Sequence, residues 1–317
     1  MDDQRTGRPV VVGVDGSASA AAAVRWAARE AARRGAPLRL VAATGWPTTA
    51  PQYTYPLADP GPRQDLPRRA RAHLAAAVVA AREAAPDLEP RADVLDGYPV
   101  PGLVAESRAA QLVVIGDRGL GGVAGLLLGS VAFGLGAHAA CPTVVVRGRA
   151  DAAEGPVVVG VDGSAVSDAA VAFAFEAASP RRAPLLAVHV WSDLQLDPGT
   201  LPAAHWDGIE QRERERLAER LAGWRDKFPD VAVEQVVTQD HPSRVLVEQS
   251  RGAQLAVVGS RGRGGLGSLL LGSVSHAVLH RADCPVAIVR PDTTSGGPHV
   301  APARSGDVMA GSEQEER

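Results

Sequence analysis

Two glycine-rich runs carry the residue types and spacing in this sequence best suited to chemistry. Gly116-Asp117-Arg118-Gly119 is followed, after nine residues, by Gly129-Ser130. Gly259-Ser260-Arg261-Gly262 is followed, again after nine residues, by Gly272-Ser273. Each run lies between a short apolar segment, LVVIG or LAVVG, and a segment of helical character. Glycine lets a backbone turn through positive φ and come close to a ligand. A helix start offers unpaired N–H groups and a partial positive charge. The combination predicts an anion site at the carboxyl end of a parallel strand. Ser130 and Ser273 are then expected to begin the helices, with a hydroxyl and a backbone N–H turned to a phosphate. A glycine cluster on its own is more often a plain turn than a phosphate site. The doubled spacing in a strand–loop–helix setting favours binding, although duplication of a structural loop leaves the same trace.

The elements that must position these loops come as a repeat. VVVGVDGS stands at 10–17 and at 157–164, and QLVVIGDRG at 111–119 is matched by QLAVVGSRG at 254–262. LLLGSV stands at 126–131 and 269–274, and a Cys-Pro pair at 141–142 and 284–285. The offset is 147 residues at the first match and 143 at the later ones, so the second copy is shorter in its middle. A repeat of this size is one domain per copy, predicted at residues 1–150 and 151–292, with a disordered tail at 293–317.

Each copy has one grammar. VVVGVD reads as a buried strand, followed by Ala-rich helices over Ala20–Arg34 and Asp168–Ser179, with Ser17 and Ser164 as N-cap candidates. Strands are predicted at 37–43 and 184–190, and long helices over Leu66–Ala85 and Ile209–Phe228. Third strands follow at 92–96 and 231–237, and third helices over Val100–Ala110 and Ser243–Gly252. LVVIG and LAVVG are fourth strands; TVVVR (143–147) and VAIVR (286–290) are fifth ones. Strands alternating with helices imply an α/β fold with parallel sheets covered on both faces. Trp46–Pro67, with six prolines, and its shorter partner Ser192–Ala204 read as irregular loops.

Composition narrows the function classes. With 33 Lys+Arg against 36 Asp+Glu, the chain is not a basic, nucleic-acid-coating protein. The mild acidity belongs to the tail, since residues 291–317 alone carry a net −3. Two cysteines make no disulfide framework, no long apolar run suggests a membrane span, and the start does not read as a signal peptide. A cytoplasmic protein is expected. Cys141 and Cys284 read as small buried apolar residues. His276 and His280 stand four apart on an expected helix, but no third ligand is evident, and surface or capping histidines are the better reading. There is no P-loop, nucleophile elbow or kinase signature.

The G-x2-G-x9-G-[ST] spacing, after an opening V-G-V-D-G-S and before a Cys-Pro-led strand, resembles the universal stress protein family in both copies. The resemblance implies two tandem open, doubly wound domains, each a five-stranded parallel sheet in the order 3-2-1-4-5 with helices on both faces. It implies ATP as ligand, one per domain. Carried over, Gly116, Gly119, Gly129 and Ser130, with Val131 beside them, would hold ribose and phosphates in the first copy. Gly259, Gly262, Gly272, Ser273 and Val274 would do so in the second. Asp15 and Asp162, just beyond Gly13 and Gly160 at the end of the first strands, would meet the adenosine end. Ala43, Val190, Ile115 and Val258 would touch adenine. Family members commonly pair through the fifth strand, so TVVVR and VAIVR would pair within the chain as a pseudo-dimer. A further homodimer and a protein partner of unknown kind are compatible with this.

One departure stands out. The first copy has Asp117 where the second has Ser260, and a carboxylate near a polyphosphate is repulsive unless it points away or holds a metal. A weaker first site, or one needing Mg²⁺, is the expectation. Three functions fit: a nucleotide-dependent sensor or regulator, a slow ATPase or nucleotidyl transferase, and a partner-binding protein with empty loops. For turnover only Asp15, Asp162 and Asp117 can be nominated, and none has an evident base partner.

Overall fold

The computed structural model describes residues 7–45, 65–119, 129–191, 203–262 and 271–291. The proposed tail, most of the proline-rich segment and the interior of both glycine loops lie outside the described residues. The first copy runs β1 (Val10–Gly13), α1 (Ala18–Arg34), β2 (Leu38–Ala43), α2 (Leu66–Ala84), β3 (Arg91–Leu95), α3 (Pro99–Ser107), β4 (Leu112–Gly116), α4 (Ser130–His138) and β5 (Thr143–Val146). The second runs β6 (Val157–Gly160), α5 (Ala165–Ala178), β7 (Leu185–Trp191), α6 (Ala203–Lys227), β8 (Val233–Gln239), α7 (Pro242–Gln249), β9 (Leu255–Gly259), α8 (Ser273–Arg281) and β10 (Val286–Val289). Ser17 and Ser164 are the N-caps expected of them, accepting from the N–H groups of Ala20 and Ser167 at 3.1 and 3.2 Å.

Two sequence boundaries move for physical reasons. Pro67 belongs to the first turn of α2, where a missing N–H costs nothing, rather than to the loop before it. The helix α6 begins at Ala203, inside the segment expected to be irregular.

Within each copy the strand order is the expected one, and all pairs inside a copy are parallel. The two sheets join as one, in the order β3-β2-β1-β4-β5-β10-β9-β6-β7-β8. The join is the antiparallel pair of fifth strands, with Val145 opposite Val286 and Val144 opposite Ala287. Each domain thereby hides the edge that an open sheet would otherwise expose. The strands β1, β4, β5 and their counterparts are buried on both faces, so they read as unbroken Val/Ile/Leu runs. On each face of the joined sheet one apolar cluster contains residues from both copies.

Charges reinforce the join. Arg147, just after β5, donates to the carbonyls of His280 and Ala282 at the end of α8. Arg290, just after β10, donates to Ala137 O near the end of α4. Each domain thus supplies a cation to the negative end of the other's helix. On the opposite face Glu30 of α1 is fully buried and meets Arg34 at 2.5 Å and Arg181 of the second domain at 2.5 Å. The same arginines lie over aromatic rings across the join, Arg181 over Trp26 and Arg34 over Phe173.

Burial alone would push Glu30 upward, but Arg34, Arg181 and Arg33 outweigh it and hold its pKa at about 2. Because the folded value is depressed, the stability this group contributes is complete above 4.5 and is lost as pH falls toward about 2. Glu30→Gln should cost about 3–5 kcal/mol, because it strands buried arginines. Its denaturation midpoint should also fall less between pH 4.5 and 2 than that of the parent. Identical pH slopes for the two proteins in guanidinium titrations would show that Glu30 does not carry this dependence.

Candidate functional site

In each domain the strand order reverses between the first and fourth strands, and two loops meet there at the carboxyl ends. The first loop turns on an aspartate. Asp15 Oδ1 accepts the Ser17 N–H at 2.9 Å, and Asp162 Oδ1 accepts the Ser164 N–H at 2.9 Å and its hydroxyl at 2.6 Å. Gly16 and Gly163 between them have φ of +87° and +79°, where a side chain would be strained. The second loop leaves the fourth strand and returns to it. Gly129 N–H donates to Asp117 O at 3.0 Å, and Gly272 N–H donates to Ser260 O at 2.8 Å.

Contact explains two glycines of the spacing. A Cβ on Gly119 would stand 2.6 Å from Asp15 Oδ2, and one on Gly262 would stand 2.5 Å from Asp162 Oδ2. The two loops therefore press together with no room for a side chain. A Cβ on Gly116 would meet Ser19, its Oγ at 2.1 Å and its carbonyl carbon at 2.6 Å, whereas one on Gly259 would meet Val166 Cγ1 at 2.8 Å. Gly129 is different: among the described residues a Cβ there finds nothing closer than Asp117 O at 3.5 Å. For Gly272 the closest atom among the described residues is Arg261 Cα at 3.3 Å.

The helices α4 and α8 begin at Ser130 and Ser273, as expected, with Gly129 and Gly272 as N-caps. Among the described residues no side-chain cap closes either one, in contrast to α1 and α5, which their own serines close. Their first-turn N–H groups and positive dipole ends thus lack a side-chain cap from their own N-cap residues, an arrangement suited to an anion. Val131 and Val274 turn their side chains to the core and can offer only backbone.

The other expected residues divide. Ala43 and Val190 are half-buried at the ends of β2 and β7, while Ile115 and Val258 are buried one residue before the glycine loops. Gly13 and Gly160 make room for neighbours of their own chain. A Cβ on Gly13 would meet Leu103 and Ile115 at 3.1 Å, and one on Gly160 would meet Leu246 at 3.0 Å.

Sequence reasoning missed three participants. Ser19 donates its hydroxyl to Asp117 Oδ1 at 2.8 Å, across 98 residues of chain. Asp117 is thereby turned to the start of α1, with Arg118 Nε 3.5 Å from its other oxygen. Of the two arrangements that would relieve repulsion, pointing away or holding a metal, this geometry matches the first. Arg147 lies close enough to feel the same carboxylate: burial lowers its pKa, and Asp117 is the first charge to oppose that. His73 of α2 lies over Gly16, its ring 2.6 Å from where a Cβ would be. Comparing the copies position by position could have revealed Ser19, because the second copy has Val166 there and Ser260 in place of Asp117. Nothing local marks Arg147 or His73.

Cys141 and Cys284 are buried, and burial pushes both thiols up to about 12, which keeps them protonated and inert. His276 and His280 pair ring to ring, Nε2 to Nε2 at 3.2 Å. Among the described residues no three His, Cys, Asp or Glu side chains group as metal ligands, and no helix is long and apolar enough to cross a membrane.

Comparison with known proteins places these features in context. The model of the universal stress protein family matches residues 7–147 and again residues 155–290. Universal stress protein Rv2005c of Mycobacterium tuberculosis is 42% identical over 295 residues, covering 92% of this chain and 99% of that protein. Universal stress protein Rv2623 of the same organism is 41% identical over 292 residues, covering 90% and 97%. The crystal structure of a universal stress protein from Archaeoglobus fulgidus superposes with a TM-score of 0.63 at 17% identity, over 90% of this chain and 98% of that one, a likeness of fold.

The contacts at the first glycine predict an asymmetry. Gly116→Ala drives a Cβ to 2.6 Å from backbone and should cost about 1–3 kcal/mol, whereas Gly259→Ala meets the Val166 side chain at 2.8 Å and backbone only at 3.1 Å, and should cost less. Chemical denaturation of the two variants measures this, and equal losses would contradict it.

Proposed function

The chain belongs to the universal stress protein family, a stress-response family, and from that premise we propose that each domain binds one adenine nucleotide, ATP, at its glycine loop and acts as a nucleotide-dependent sensor or regulator. The observation that carries this is the pair of uncapped helix starts, α4 and α8, held under loops whose glycines leave bare backbone. Backbone N–H groups and a helix dipole recognise phosphate without any lysine. Gly119 and Gly262, pressed on Asp15 and Asp162, would set the phosphate loop against the adenosine end. The half-buried ends of β2 and β7, at Ala43 and Val190, would bound the adenine.

Binding and regulation fit better than turnover. The carboxylates nominated for phosphoryl transfer are engaged in building the loops: Asp15 and Asp162 hold N–H groups of their own turns, and Asp117 takes the Ser19 hydroxyl.

Gly129→Val and Gly272→Val are the decisive variants. Their backbones are ordinary for valine, and among the described residues the nearest own-chain atoms to the new Cβ stand at 3.5 and 3.3 Å. Isothermal titration of the full chain with ATP, with Mg²⁺ and again with EDTA, should show two sites. Either variant should remove one site and the double variant both. Absence of binding at millimolar nucleotide, or binding unchanged in the double variant, would reject the proposal.

A further inference from the structure

Away from the glycine loops, two ring nitrogens converge on α8. His276 and His280 are four residues apart, so they lie on one side of the helix, and their Nε2 atoms stand 3.2 Å from each other. The ring centroids are 4.3 Å apart and the planes are inclined by 46°. His276 is exposed and His280 half-buried. Two nitrogens bound at 2.0–2.1 Å to one metal ion, at an angle between square and tetrahedral, stand about 2.8–3.4 Å apart. The spacing of the Nε2 pair is inside that range. At this distance one Nε2–H can donate to the other Nε2. A metal ion between them takes both lone pairs, and the shared proton moves to Nδ1 of its own ring, so no proton is gained or lost.

The fold does not ask for histidine at either position. Aligned through LLLGSV, the first copy has Phe133 and Ala137 there, on a helix α4 of the same nine residues. Between the two histidines, Val278 and Leu279 are fully buried and fix α8 to the sheet, and Arg147 of the first domain donates to His280 O at 3.0 Å. The backbone that spaces the rings is therefore set before a ligand arrives, which lowers the cost of binding one. The donor set also selects the ion. The arginines acting on His280, Arg147 and Arg281, are cationic, and among the described residues no third His, Cys, Asp or Glu joins the pair. Ions that need oxygen ligands, such as Mg²⁺ and Ca²⁺, gain nothing here. Imidazole suits Cu²⁺, Ni²⁺ and Zn²⁺, and copper(II) heads that series.

We infer that His276 and His280 form a two-imidazole chelate, present in the second domain alone, for a borderline divalent transition-metal ion, copper(II) foremost. Water completes the coordination. The site stands apart from the nucleotide reading and does not depend on it.

The test is isothermal titration of the full chain with Cu²⁺ in a weakly coordinating buffer, together with electron paramagnetic resonance of the complex at one equivalent. The tightest site should take one Cu²⁺ through two nitrogens. Zn²⁺ should compete for it more weakly, and Mg²⁺ should not compete. His276→Phe and His280→Ala install the residues that the first copy carries at these positions. Each should weaken the site about tenfold or more, because losing one ring makes the other an isolated ligand. His241→Asn, at the start of the neighbouring α7, should leave it unchanged. Affinity untouched by either substitution, a loss confined to one of them, or a spectrum showing a single nitrogen overturns the inference. Should His276→Phe or His280→Ala fail to fold, His276→Gln and His280→Gln replace them under the same criteria.

Discussion

The loop after the fourth strand must return to the residue at which it left the sheet. The hydrogen bonds from Gly129 to Asp117 and from Gly272 to Ser260 close that circuit, and most of the site follows from them. Closure places a helix start directly above the strand end. It leaves the helix capped by a glycine with no side chain to occupy its N–H groups. It also forces the loop against the preceding turn, where only Gly119 and Gly262 leave space for the carboxylates of Asp15 and Asp162. A side chain at the wrong glycine would therefore reopen the loop before it touched any ligand.

The join between domains rests on a different kind of interaction. Four-residue strands β5 and β10 are short, and pairing them antiparallel is helped by charge exchanged across the dyad. Arg147 and Arg290 each neutralise the far end of a helix whose near end faces a glycine loop. The helices that open the two sites are thus anchored by the opposite domain. Glu30 and Arg181 lock the other face, where a buried ion pair is sound only because Arg34 and Arg33 surround the acid as well.

Much of this architecture could be read from the residues. Unbroken runs such as VVVGV and LVVIG identify strands buried on both faces, because only a covered parallel sheet removes the need for alternation. Ser17 and Ser164 mark helix starts by their own hydroxyls. The repeat announces two domains, and the family resemblance supplies a strand order that the sheet then displays. Boundaries were less legible at Pro67 and Ala203, since proline is tolerated in a first helical turn and a helix can begin among residues that also suit loops. Of the site, the glycines and helix starts were visible, while Ser19, His73 and Arg147 were not.

The division has a physical cause. The sequence by itself determined what depends on neighbours in the chain: strand and helix periodicity, caps, the glycine spacing, and the duplication that made two sites. Tertiary structure alone decided which groups separated by about a hundred residues or more would share a space. It turned Asp117 toward Ser19 at the start of α1, brought Arg181 to Glu30, and sent Arg147 and Arg290 across the join. Those encounters depend on how sheets, helices and the two copies pack, and side-chain charge or hydroxyl content carries no record of its eventual partner until packing has chosen one.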